Sequence, residues 1–222
     1  MMTTRDSGRD PLTGSAWSEP GTVAGFVRSA PNATLMRFAE EERARGARRL
    51  LDIGCGAGRN ALPLAHAGWD VTAVDLSRPM LLAAAERRRT NPLPGVIRLT
   101  FAEMERLPIA DRTMDLVVAH GIWNLAASSA QFRAAVREGA RVARPGAALF
   151  VFTFSRATLA PDALPVPGET IVFTQFSGAP QVFLTATQLT AELHDAGFEP
   201  DPRVPLTEHN KPRPGALRAG AR

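Results

Sequence analysis

The chain has 222 residues, 45% apolar and 22% charged, which suits a single globular α/β domain and excludes a mostly disordered chain. Its 26 basic residues, all arginine except Lys211, exceed 22 acidic ones by a formal +4, too slight a surplus to imply a nucleic-acid partner. One cysteine, Cys55, excludes an intrachain disulfide framework and an all-cysteine zinc site, and no other metal-ligand set is read. The start MMTTRDSGRDP lacks an apolar signal region, and apolar runs such as Ala147 to Phe152 fall far short of the ~20 residues that cross a membrane. A cytoplasmic protein with no membrane association is expected. There is no phosphate-loop lysine motif, no G-x-S-x-G elbow and no H-E-x-x-H, and the absence of tyrosine removes a Tyr/Lys hydride-transfer pair.

Residues 1–30 are polar and broken by Pro11, Gly14, Pro20, Gly21 and Gly25, and are expected to form a flexible flap or a short helix anchored by Trp17 and Phe26. Pro31 suits the first turn of a helix that puts Leu35, Phe38 and Ala39 on one face and stops at Gly46. From Leu50 short apolar runs alternate with amphipathic stretches. LLDI predicts a strand, Arg59 to Ala67 a helix closed by Gly68, VTAVD a strand, and Ser77 caps a helix running through Arg88. VIRLTF and MDLVVAH predict further strands, a helix covers about Ser129 to Ala143, Arg144-Pro145-Gly146 stops it, and ALFVFTF follows as a strand.

Strands with so little polar interruption are those covered on both faces by helices, so the pattern predicts a doubly wound, mostly parallel α/β sheet. After Ser155 the alternation fails. TIVFTQF and QVFLT flank Ser177-Gly178-Ala179-Pro180 and predict an inserted β-hairpin over about 171–184, and Thr185-x-x-Gln188 forms a capping box for a last helix ending at Gly197. The domain is expected to span 31–206, with a Pro/Arg-rich tail over 207–222. Pro200, Pro202 and Pro205 make Glu199 to Leu206 a poor strand, so either the hairpin closes the sheet or its edge stays open.

The most informative stretch runs from Leu51 to Asn60, where a strand enters a turn containing Gly54, Gly56 and Gly58 and then a helix. Glycines permit a tight turn and close approach of a ligand, and the helix start beyond them presents unpaired N–H groups. Asp75, ending the next strand 17 residues after Gly58, is placed to accept hydrogen bonds from both hydroxyls of a ribose. A dinucleotide fingerprint G-x-G-x-x-G would need glycine where Arg59 stands.

The observed D-x-G-x-G-x-G, beginning at Asp52, instead resembles the first motif of class I S-adenosylmethionine-dependent methyltransferases, the seven-strand Rossmann-like family. Asp75-Leu76 in VTAVDLS matches the ribose-binding acidic position. Ala102 to Pro108 is similar to the family's G-D-x-x-x-L-P, Met114 to Val118 to its fourth strand, and Arg141 to Gly146 to its R-V-L-K-P-G-G turn. The resemblance covers roughly residues 50–200. It implies S-adenosylmethionine as cofactor, with Asp52, Gly54, Gly56, Gly58, Asp75 and Leu76 around it, Glu103 at the adenine amino group and Met104 beside the ring. The family's more usual Asp is replaced at Glu103 by a longer acid.

His120 ends the fourth strand, where this fold opens its ligand crevice, and an imidazole titrates near working pH, so it is the candidate base; packing against the cofactor is its other reading. Arg28 is a candidate clamp for the cofactor carboxylate, and Trp123 and Asn124 are candidate walls for the acceptor. His66, His194 and His209 read as surface or structural residues. His120-Gly121-Ile122-Trp123 differs from the Asn/Asp-Pro-Pro-Tyr of nucleic-acid amine methyltransferases, which favours a small-molecule acceptor. Gly58-Arg59-Asn60 is similar to the tellurite-resistance and thiopurine branches, keeping a thiol or metalloid acceptor open. The rival class is a cofactor-binding sensor or partner subunit without turnover. A monomer or homodimer is expected.

Overall fold

The computed structural model describes residues 10–90 and 94–208. The chain divides into two compact units, one running to His120 and including Arg141–Phe150, the other comprising Gly121–Ala140 and the chain from Val151 onward. The elements in chain order are α1 (Pro20–Arg28), α2 (Ala33–Ala44), β1 (Arg49–Ile53), α3 (Ala61–His66), β2 (Asp70–Asp75), α4 (Arg78–Thr90), β3 (Val96–Phe101), β4 (Met114–His120), α5 (Ser129–Val142), β5 (Ala143–Phe152), β6 (Val172–Phe173), β7 (Gln181–Val182) and α6 (Ala186–Asp195).

The first unit is built on a sheet of order β3-β2-β1-β4-β5. β1 pairs in parallel with both β2 and β4, and β2 in parallel with β3. The chain therefore adds strands outward on one side, then returns to add β4 on the other. That reversal leaves a crevice at the carboxyl ends of β1 and β4, the position at which open α/β sheets take their ligands. Leu50, Leu51, Ile53, Val71, Leu116, Val117 and Val118 are all buried, as the near-continuous apolar runs of doubly covered strands require.

Two starts differ from the sequence expectation. Pro31 lies outside α2, whose N-cap is Asn32, with its side-chain oxygen accepting the Leu35 N–H at 2.9 Å. An amide oxygen caps the free N–H groups of a helix start directly, whereas proline can only avoid needing a cap. α3 begins at Ala61, two residues later than expected, because Arg59 and Asn60 still belong to the turn and bond across to the segment before α2. α4 follows Ser77 as expected, the Ser77 hydroxyl accepting the Met80 N–H at 3.3 Å.

The start of β1 is fixed by Asp115 of β4. Its buried carboxylate accepts the N–H groups of Arg48 and Arg49 at 2.6 and 2.9 Å and pairs with Arg144 at 2.8 Å. The helix stop assigned to Arg144-Pro145-Gly146 comes earlier, since α5 ends at Val142 and β5 already contains those residues. The carbonyls of Arg141 and Val142, left over at the helix end, accept the N–H groups of Arg112 and Thr113 at 2.9 Å each.

In the second unit, α5 buries Phe132, Ala135 and Val136 at helical spacing. Arg133 of α5 holds Glu192 of α6 through a forked pair, with contacts of 2.6 and 2.8 Å. The expected hairpin is present but pairs over only two residues per strand, Val172 with Val182 and Phe173 with Gln181. It forms a separate two-stranded sheet. Beyond β7, Leu184 bridges Ser155, past the end of β5, so the hairpin does not add a strand to the five-stranded ladder. Phe154, Phe173 and Phe183 pack with Leu159 into a small apolar cluster. The capping box of α6 is formed as expected, by Thr185 and Gln188.

Among the described residues no helix is long and apolar enough to cross a membrane. His209 and most of the tail lie outside the described residues.

Candidate functional site

The glycine turn stands on the carboxyl end of β1, all three of its glycines in the left-handed region, with φ of 70° at Gly54, 54° at Gly56 and 76° at Gly58. A side chain at Gly58 would run into Leu62 at 2.9 Å, so that glycine also lets α3 pack closely beneath the turn. The N–H groups of Gly54 and Cys55 both point to the carbonyl of Val74, at 2.8 and 3.0 Å, tying the turn to the end of β2.

Asp75 organises that junction. One carboxylate oxygen accepts the Gly56 N–H at 2.7 Å and the other the Ser77 N–H at 2.8 Å. Its backbone carbonyl accepts the Ala102 N–H at 3.1 Å, which brings the residues after β3, including Glu103 and Met104, to the same edge. Glu103 is exposed there, and Met104 and Leu76 are half-buried. Phe101, the register partner of Asp75, carries the Arg78 guanidinium over its ring at 4.8 Å.

Asp52 lies in the middle of the sheet, 2% exposed, and one of its oxygens has no hydrogen-bond partner among the described residues. Burial, then the charge of Asp75, push its carboxyl up from 3.8 to about 7, against the pull of the Ala61 N–H. Burial also raises Asp75, opposed by the N–H groups of Ser77, Gly56 and Leu76. Burial and the same two carboxylates push the Cys55 thiol up, which makes it a poor nucleophile.

Neither carboxylate is ion-paired among the described residues, and the charge of Asp75 bears on Asp52 without a basic side chain to offset it. S-adenosylmethionine fits this donor set: its sulfonium and ammonium groups supply positive charge, and its ribose hydroxyls suit an acceptor such as Asp75.

His120 closes β4 at the same crevice, its Nε2 3.0 Å from Asn32 Nδ2. Burial and the Arg59 guanidinium hold it below the ordinary imidazole value of 6.5, partly offset by a backbone hydrogen bond. Arg59 and Asn60 continue the glycine turn and reach back, Arg59 Nε donating to the Ala30 carbonyl at 2.6 Å and Asn60 Oδ1 accepting the Asn32 N–H at 3.0 Å.

These links bring together Asp52, the three glycines, Asp75, Leu76, Glu103, Met104 and His120. Arg28 is exposed at the last position of α1. Trp123 and Asn124 belong to the second unit, both 1% exposed, with Trp123 Nε1 and Asn124 Oδ1 lacking hydrogen-bond partners among the described residues. His66 and His194 lie on the surface.

Sequence reasoning missed Asn32, Asn60 and the cover over the glycine turn. A side chain at Gly56 would stand 3.2 Å from the ring of Phe26, which Trp17 meets edge-on at 5.9 Å, and the Trp17 carbonyl accepts the Ser77 hydroxyl at 2.9 Å. The asparagine just before the apolar run of α2 is an N-cap signature and could have exposed Asn32. Nothing local announces the contact of Phe26 with Gly56.

Reversed strand order with a glycine turn and an acid at the next strand end defines a nucleoside-cofactor-binding α/β protein. Residues 51–151 match the model of a methyltransferase domain. The chain is 40% identical over 116 residues to a ubiquinone/menaquinone biosynthesis C-methyltransferase from Syntrophotalea carbinolica, covering 51% of this chain and 46% of that one. It is 39% identical to a malonyl-[acyl-carrier protein] O-methyltransferase from Enterobacter lignolyticus, covering 64% of this chain and 55% of that one. A solved S-adenosylmethionine-dependent methyltransferase structure from Methanosarcina mazei shares the fold with a TM-score of 0.63 at 21% identity, covering 78% of this chain and 87% of that one. The chain spans about half the length of the first curated relatives it matches. These likenesses support a class I S-adenosylmethionine-dependent methyltransferase.

Proposed function

We propose that the protein transfers a methyl group from S-adenosylmethionine to a small-molecule acceptor. The observation that carries this reading is the pair of acids, buried Asp52 and half-buried Asp75, neither ion-paired among the described residues, on a glycine turn at the sheet's switch point. Relatives named for quinone biosynthesis and for a malonyl carrier substrate support a small organic acceptor.

Bound S-adenosylmethionine supplies a methyl group already activated by its positive sulfur. What remains for the chain is alignment and exclusion of water, and orientation alone contributes ~7–11 kcal/mol in favourable cases. Asp75 would hold the ribose, Glu103 and Met104 the adenine edge, Gly54, Gly56 and Gly58 the close backbone approach, and Arg28 the carboxylate. Phe26 and Trp17 would shield the turn from water. Held below its ordinary value, His120 stays neutral at pH 7, the form in which a base takes a proton from an acceptor.

The test is transfer of a labelled methyl group to thiols, phenols, amines and carboxylates. His120→Ala is expected to lower turnover by ~10²–10⁴-fold for an acceptor that must lose a proton, with cofactor affinity changed only a few-fold. Unchanged turnover would remove the base role. Cofactor binding with no transfer to any acceptor class would favour a sensor.

A further inference from the structure

Asn32 stands where the sequence offers an N-cap for α2, and its side chain also reaches the end of β4. Its Oδ1 accepts the Leu35 N–H at 2.9 Å and so caps α2. That bond fixes which end of the amide is which, because a flip would set the NH2 group against the Leu35 N–H. The other end, Nδ2, lies 3.0 Å from His120 Nε2. An amide nitrogen donates and does not accept, so Nε2 must accept, and the hydrogen of the neutral ring sits on Nδ1.

Asn32 is itself held in place. Its own N–H donates to Asn60 Oδ1 at 3.0 Å, and the preceding Ala30 carbonyl accepts Arg59 Nε at 2.6 Å. The residues that follow the glycine turn therefore set the start of α2, and the start of α2 sets the ring at the end of β4. Protonation of Nε2 would place two N–H donors face to face and break that chain. Burial and the Arg59 guanidinium both disfavour the imidazolium.

We propose that Asn32 is the positioning residue of His120, fixing the imidazole with its proton on Nδ1 and engaging Nε2 until the start of α2 releases it. The inference rests on His120 being the residue that faces the acceptor, but its test needs no turnover. A base at Nε2 then works only after the Asn32 bond opens, so the N-cap of α2 and the proton-accepting nitrogen are mutually exclusive partners of one side chain.

The test is a long-range proton–nitrogen correlation spectrum of the 15N-labelled full-length protein, with the His120 ring assigned by its loss in His120→Gln. The wild type is expected to show the Nδ1–H tautomer and a titration midpoint below that of a free imidazole. Asn32→Ser keeps a helix-capping oxygen but removes the amide donor. It is expected to shift the ring toward the Nε2–H form and raise its midpoint. Asn32→Asp keeps the cap and puts a carboxylate against Nε2, which should raise the midpoint above that of a free imidazole. An Nε2–H tautomer in the wild type would overturn the proposal. So would an unchanged tautomer and midpoint in both variants. The wild-type spectrum decides even if a variant does not fold.

Discussion

Replacing Asp75 by alanine is expected to weaken S-adenosylmethionine binding by about two to four orders of magnitude. Hydrogen bonds to a charged acceptor are worth ~1.5–3 kcal/mol each, and a ribose offers two hydroxyls, so losing both amounts to ~3–6 kcal/mol. The substitution also releases the Gly56 and Ser77 N–H groups that the carboxylate holds at 2.7 and 2.8 Å, so the turn loses its preformed shape. Asp75→Asn keeps one acceptor oxygen of similar reach and should cost about tenfold. Calorimetric titration of each variant measures the loss, and thermal unfolding of the same samples shows whether the fold survives. An Asp75→Ala protein that binds as tightly as wild type would remove Asp75 from the site.

The second large effect comes from the charge state of Asp52. Its carboxyl titrates near 3.8 when solvated and at about 7 in the folded chain. Between those values the folded state holds a proton that the unfolded state has released, so the Asp52 contribution to stability is greatest below about 4 and falls as the pH rises to about 7. A rise of that size corresponds to a cost of roughly 4 kcal/mol at most above pH 7.

A bound cation relieves it. The cofactor's positive groups should draw the proton off Asp52, so that affinity increases with pH by up to about tenfold per unit below 7 and then levels. Asp52→Asn removes both effects: it is expected to raise the unfolding temperature of the free protein at pH 8 by several degrees, to weaken cofactor binding at that pH, and to flatten the pH profile of binding. Titrations in buffers of different ionisation enthalpy count the protons released. A variant that keeps the wild-type pH profile would show that another group governs it.

Much of the first unit was legible because its signals are local. The apolar runs at Leu50 to Ile53, Val71 to Val74 and Leu116 to Ala119 are long enough to announce strands covered on both faces, and they form β1, β2 and β4 within a residue or two of expectation. The spacing of Gly54, Gly56 and Gly58 requires left-handed backbone that only glycine adopts readily, so the turn and the acid at Asp75 could be placed before the fold was known. Ser77 and the Thr185/Gln188 box capped their helices as read, because a cap is a short-range hydrogen bond.

The rest depends on contacts between distant residues. Asn32 and His120 are 88 positions apart, and nothing in either neighbourhood records that they share a hydrogen bond. The late start of α3 follows from Arg59 and Asn60 reaching back to residues 30 and 32, which competes with their joining the helix. The hairpin shrinks to two residues per strand because it packs its phenylalanines into a local cluster with Leu159 and makes no ladder with β5. The charge state of Asp52 likewise reflects burial beneath the turn and the nearness of Asp75, neither visible in the motif that contains it.

The most direct measurement is calorimetric titration of S-adenosylmethionine into the wild-type protein at pH 6 and at pH 7.5, each at two temperatures. Saturable binding at one site per chain, tightening from pH 6 to pH 7.5, is the expected result. Absence of binding at both temperatures, in protein shown to be folded, would contradict it.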